Sequence, residues 1–119
     1  MFELSQSFYF EAAHTLERAY DTDSSRRIHG HTYGSEVQVQ GDPGPDGMVV
    51  DLAHLRAVIA EVRDCLDHRL LDEVPGLGAA TLENLCLYIY RHVSARVAGV
   101  SAVSVYRSMS GDRCTYRPR

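Results

Sequence analysis

The chain begins with a run of alternating apolar and polar positions. SQSFYFEAAH (5–14) sets Phe8 and Phe10 two apart with Tyr9 between them, which predicts a strand ending at His14. HTYGSEVQVQG (31–41) alternates through Glu36, Val37, Gln38, Val39 and Gln40, the pattern of a half-buried strand. The polar stretch between them, residues 15–28, is long for a hairpin connection, and loops of that length often carry function. DPGPDG (42–47) is a turn cluster, and GMVVD (47–51) reads as a short strand or as the lead into a helix. From Asp51, a good N-cap, apolar residues fall at Leu52, Leu55, Val58, Ile59, Val62 and Leu66, which is helical spacing. DEVPGLGA (72–79) breaks the chain. Thr81 then caps a second helix with Leu82, Leu85, Cys86, Ile89 and Val93 on one face and Glu83 in its first turn. SAVSVYRS (101–108), a tight turn around Gly111 and RCTYR (113–117) close the chain as strand, turn and strand. The order β-β-α-α-β-β predicts an α+β domain over residues 1–119, a four-stranded antiparallel sheet with two helices on one face.

Composition narrows the function classes. Of the 119 residues, 45% are apolar and 24% charged, the profile of a soluble globular chain. No apolar run approaches the roughly 18 residues of a membrane span. The start, MFELSQSFYFEAAH, lacks a basic segment followed by an apolar one, so the expectation is a cytoplasmic protein without a leader. A net charge of −4 gives no reason to expect nucleic acid as a partner. All 12 basic residues are arginine, which excludes Schiff-base lysine chemistry. Cys65, Cys86 and Cys114 are far apart without metal-ligand spacing and read as reduced, structural thiols.

The histidines are the candidate chemistry. His29 and His31 in HGH stand two apart, which on an extended chain puts both imidazoles on one face. His14 ends the first strand, so if the first two strands pair, three imidazoles converge at one end of the sheet. Three neutral nitrogens with an open fourth position are what catalytic zinc requires. Separate surface or capping histidines remain the alternative on spacing alone. In LDHRL, Asp67 beside His68 past the first helix is either a carboxylate-oriented proton carrier or a histidine interacting with the helix terminus.

FEAAH, HGH, LDHRLL (66–71), PGL (75–77) and T-x-E-N-L (81–85) occur in one order that resembles the 6-pyruvoyl and 6-carboxy tetrahydropterin synthases over nearly the whole chain. The resemblance implies the tunnelling fold, in which three four-stranded sheets close into a barrel and two such trimers stack into a homohexamer. It implies zinc on His14, His29 and His31, and Asp67 and His68 as a proton relay brought to the zinc of a neighbouring subunit. It also places Thr81 among the substrate-binding residues.

Two positions depart from that pattern. The proton-abstracting cysteine of the family lies four residues before HGH, where this chain has Ser25. A serine hydroxyl is a far weaker acid than a thiol and does not become a resting base. The pterin-anchoring glutamate of the family aligns with Arg107, and the last acid of the chain is Asp112 in the turn. Arginine carries five donors and no acceptor, so it suits a carboxylate or phosphate, with Arg26 or Arg27 as a second contact. The expectation is therefore a zinc-dependent lyase of this family acting on a non-standard, anionic substrate. The alternatives are a conventional synthase acting on 7,8-dihydroneopterin triphosphate, and a zinc-stabilised oligomeric binding protein without turnover.

Overall fold

The computed structural model describes residues 1–119. Two long strands, β1 (Phe2–His14) and β2 (His29–Gly41), are joined by a loop holding the short helix α1 (Thr22–Arg26). Helix α2 (Leu52–Leu66) leads through the two-residue strand β3 (Arg69–Leu70) and a 3-10 turn (Leu71–Glu73) to helix α3 (Leu82–Ser94). Strands β4 (Val100–Arg107) and β5 (Asp112–Tyr116) complete the chain. The sheet runs β3-β1-β2-β4-β5, antiparallel except for β3, which pairs parallel with β1 at Ala12 and Ala13. It thus has five strands where four were expected. The fifth is two residues long, too short to leave an alternation, and it forms because His68 N–H bonds the Glu11 carbonyl just before it. GMVVD leads into α2 and forms no strand.

Both main helices start where their caps dictate. The Asp51 side chain accepts from the Ala53 N–H at 2.9 Å, and Thr81 Oγ1 accepts from the Asn84 N–H at 3.1 Å. Their apolar stripes cover the sheet face formed by Phe8, Phe10, Ala12, Tyr33, Val37, Val39, Val103 and Val105. Leu55, Leu66, Leu85, Ile89 and Val93 are fully enclosed there. Each such side chain is worth about 1.5–3 kcal/mol on burial, which is what holds helices on sheet. Tyr88 joins this layer although its position lies off the expected stripe.

On the opposite face, Tyr9, Gly34 and Tyr106 form one row across three strands. A Cβ at Gly34 would overlap the Tyr106 ring, which crosses the glycine to meet Tyr9 edge-on, with centroids 6.4 Å apart. The outer edge of β1 from Phe2 to Glu11 has no partner strand, nor has the outer edge of β5. The result is elongated, about 55 × 24 × 23 Å, and no helix is long and apolar enough to cross a membrane.

Leu85 sits at the centre of the helix–sheet contact. Leu85→Ala should destabilise the protein by about 2–5 kcal/mol, read as a lower denaturant midpoint, while Leu52→Ala at the half-buried start of α2 should cost less.

Candidate metal centre

The register of β1 and β2 assembles the site. His14 pairs with His29, and Ala12 pairs with His31. Directly opposed residues share a face, so all three imidazoles emerge on the helix side of the sheet at one end. Their ring centroids are 4.5–5.0 Å apart, and one nitrogen from each lies within 4.8 Å of the others. His14 Nδ1 donates to the Ala80 carbonyl at 2.9 Å, and His29 Nδ1 donates to the Arg27 carbonyl at 2.7 Å. A carbonyl can only accept, so both rings carry their hydrogen on Nδ1 and present a bare Nε2.

His31 Nε2 lies 3.1 Å from His14 Nε2 and 3.4 Å from the Arg107 guanidinium donor. His31 Nε2 has a single lone pair, so it accepts from Arg107 here and would exchange that bond for one to a cation shared with His14 and His29. Tetrahedral zinc with bonds of about 2.0–2.1 Å would set its nitrogen ligands about 3.3 Å apart, so the donor set suits a metal ion. Burial lowers the His14 pKa; the Ala80 contact partly opposes this, and the His29 and Arg107 charges add to it. Burial, then Arg107, His14 and His29, lower His31 to about 4. Both rings are therefore neutral near pH 7, the form that ligates.

A cleft of about 410 Å³ opens over the three histidines and is lined also by Ser25, Arg107, Arg18 and Asp112. Ser25, on α1, is buried, and its carbonyl accepts from the Leu16 N–H at 2.7 Å. Arg107 follows Val103 and Val105 on the helix-side face of β4, and its side chain is 22% exposed. Its Nη2 donates to Asp112 at 2.9 Å, while its Nε is buried without a partner, as is the Tyr33 hydroxyl. Burial pushes the Tyr33 pKa up to about 12, with Arg107 opposing.

Two expected contacts lie elsewhere. The Arg27 side chain is exposed, and only its carbonyl serves the site, through His29. Thr81 spends its hydroxyl on capping α3, one residue after the carbonyl that orients His14. Arg18 and Asp112 were not singled out from sequence. Asp112 had a usable signal, because the hairpin register sets it opposite Arg107. Arg18 had none in a polar loop.

The second constellation centres on His68. Its Nδ1 lies 2.9 Å from Asp67 Oδ2, whose other oxygen accepts from the Glu11 N–H at 2.9 Å. That backbone bond, then His68 and Arg63, hold the Asp67 carboxyl below its usual range. His68 is fixed in the left-handed region, φ 58°, by its own N–H bond to the Glu11 carbonyl, and its side chain is 75% exposed. It lines a separate groove of about 530 Å³ with Glu11, Thr32 and Arg69. His31 is the one residue lining both cavities, so a single chain brings Asp67 and His68 to the back of the imidazole cluster and not into its cleft.

A family model described as 6-pyruvoyl tetrahydropterin synthase matches residues 3–119. The chain belongs to this family. A putative 6-carboxy-5,6,7,8-tetrahydropterin synthase of Archaeoglobus fulgidus is 32% identical over 96 residues, 81% of this chain and 79% of that protein. A dihydroneopterin monophosphate aldolase of Pyrococcus furiosus is 32% identical over 90 residues, 76% of this chain and 73% of that protein. A putative 6-carboxy-5,6,7,8-tetrahydropterin synthase of Pyrococcus horikoshii is 42% identical, but over 62 residues, 52% of this chain and only 36% of that relative's length. The 6-pyruvoyl tetrahydropterin synthase structure from Caenorhabditis elegans superposes with a TM-score of 0.83 at 25% identity, covering 99% of this chain and 96% of the other. The five-stranded architecture is thus the tunnelling fold of the 6-pyruvoyl tetrahydropterin synthase family.

His31 provides a pH test of the cluster. Its folded value of about 4 lies below its ordinary 6.5, so the unfolded chain takes up the proton first as pH falls. The stability it contributes is complete above pH 6.5 and is lost as pH falls toward 4. In chelator-treated protein, Tm of the wild type relative to His31→Gln should therefore decline over this window. A constant difference would contradict the assigned environment.

Proposed function

We propose that this member of the 6-pyruvoyl tetrahydropterin synthase family is a zinc-dependent lyase whose substrate presents an oxyanion, a carboxylate or phosphate, to Arg107. The observation that carries the reading is the position of Arg107: its guanidinium lies inside the cleft, 3.4 Å from His31 Nε2. A substrate that reaches His14, His29 and His31 meets the Arg107 guanidinium beside the same imidazoles. A pterin's amino-pyrimidine edge presents donors, and a guanidinium opposite it leaves groups on both sides unpaired, at roughly 1–3 kcal/mol each. The relative named dihydroneopterin monophosphate aldolase supports a phosphorylated substrate within the family. The relatives named 6-carboxy-tetrahydropterin synthase favour a second reading, a conventional synthase acting on 7,8-dihydroneopterin triphosphate.

His14, His29 and His31 would hold the zinc, which when bound polarises a substrate hydroxyl or carbonyl and acidifies the adjacent proton. Arg107 binds and orients the oxyanion with charge-assisted hydrogen bonds. Ser25 donates or accepts a hydrogen bond at the cleft wall but stays protonated at neutral pH. Proton transfer falls to His68 at Nε2, with Asp67 holding Nδ1–H and fixing the tautomer. Since His68 faces away from its own chain's cleft, this role requires assembly. The open edges of β1 and β5 are what closure into a trimeric barrel would remove, and stacking of two trimers gives the expected hexamer.

Purified protein should carry one zinc per chain and have a solution mass of three or six chains. His29→Ala should lose most of the metal. Zinc well below one per chain in wild type, or a monomeric mass, would overturn these assignments.

The deciding assay for substrate class is turnover of 7,8-dihydroneopterin triphosphate. The wild type should be nearly inactive, because the missing thiolate alone removes general-base catalysis worth about 10²–10⁴ in rate. The Ser25→Cys, Arg107→Glu double variant should gain activity over either single change. His68→Ala should abolish turnover of the true substrate while keeping its zinc and its mass. Wild-type turnover at an ordinary family rate would leave the conventional reading standing.

A further inference from the structure

We propose that Asp112 is a built-in competitor for the substrate's oxyanion at Arg107, so that an anion binds by displacing a carboxylate already in its place. This rests on the reading of Arg107 as the oxyanion receptor.

The donors of Arg107 are unequally available. Nη1 is directed at His31 Nε2 and Nε is buried, whereas Nη2 donates to Asp112 Oδ2 at 2.9 Å. The same Asp112 oxygen accepts from Ser110 Oγ at 2.8 Å. One carboxylate oxygen thus bridges two donors that both line the cleft, which is how a substrate carboxylate or phosphate would be received. The Asp112 side chain has no other hydrogen-bond partner, and it is 49% exposed.

Its side chain can turn away while its backbone stays paired with Arg107. Asp112 follows a turn in which Ser108, Met109, Ser110 and Gly111 are all exposed, Met109 by 98%. The turn is closed by the Gly111 N–H to the Arg107 carbonyl at 2.9 Å, a bond independent of the Asp112 side chain. A second such pair lines the cleft, with Arg18 bonded to Asp21 at 3.4 Å. The organic part of the cleft is therefore charge-balanced until a ligand exchanges with one of these carboxylates.

The exchange sets a selectivity rule. A tethered carboxylate is present at high effective concentration, so a neutral ligand gains nothing by removing it. A dianionic phosphate replaces the lost contact and adds another. Asp112 thereby raises the threshold for binding and favours ligands carrying more negative charge.

The test is calorimetric titration of the protein as purified with inorganic phosphate, the Arg107-dependent part being defined by the Arg107→Gln variant. Asp112→Asn should tighten phosphate binding roughly three- to tenfold, the size expected for releasing one partly exposed ion pair together with a nearby negative charge. Asp112→Ser should shift in the same direction. Both gains should vanish when Arg107→Gln is added. Equal or weaker phosphate binding by both Asp112 variants, with unfolding transitions like those of wild type, overturns the competitor role and leaves Arg107 as the receptor. Phosphate binding that is indifferent to Arg107 in every variant overturns both.

Discussion

The unbroken pairing of β1 with β2 is the constraint on which the rest depends. Thirteen consecutive partners, from Phe2 with Gly41 to His14 with His29, hold one register without a bulge. A slip of one residue would turn every side chain of a strand to the other face. It would expose Phe8 and Phe10 to solvent and scatter the imidazoles to both sides of the sheet. The hydrophobic core and the histidine cluster are thus consequences of one alignment. The apolar residues of the middle of the strands stabilise it, and the polar residues at their ends inherit their geometry from it.

The candidate metal-binding imidazoles are held by supports, and two of these are backbone carbonyls. Ala80 stands just before the α3 cap, and Arg27 just past the end of α1. Neither depends on a particular side chain. What matters is that Thr81 ends the preceding segment where it does and that α1 compacts the loop beneath His29. The Thr15–Asp72 contacts add a third tie, fixing the chain just beyond His14 to the 3-10 turn. The loop of residues 15–28, long for a hairpin, is therefore a structural part of the cleft.

Much of this was legible in the sequence, for reasons that differ by element. Strands β1 and β2 and both long helices announce themselves through period, because each has one buried and one more exposed face, whereas β4 is buried on four consecutive residues, Ala102 to Val105. His14, His29 and His31 could be brought together on paper since strand alternation and antiparallel pairing are local rules. Asp67 beside His68 is a contact between neighbours in sequence and was equally readable. What escaped depends on rules without a periodic signature. Strand β3 is two residues stabilised by tertiary contact. Tyr88 is buried through the neighbouring helix and not through its own stripe. Arg18 reaches the cleft because a loop folds back, and the Arg27 side chain does not, although both are arginines of the same loop. The short hairpin between β4 and β5 was predicted, but its register, which pairs Arg107 with Asp112, changes the meaning of the arginine from a free receptor to an occupied one.

The tyrosine lying across Gly34 has a consequence for how this chain can vary. Position 34 has no side chain because the Tyr106 ring fills its space, and the ring can lie there only because nothing projects from position 34. The two positions form a single choice made on different strands. A larger residue at 34 requires the Tyr106 ring to swing aside or to be replaced by a smaller side chain, and the edge-on contact to Tyr9 is then lost as well. Among relatives the three sites should drift as a unit, so that a substitution examined at one of them alone would misstate how tolerant this face of the sheet is.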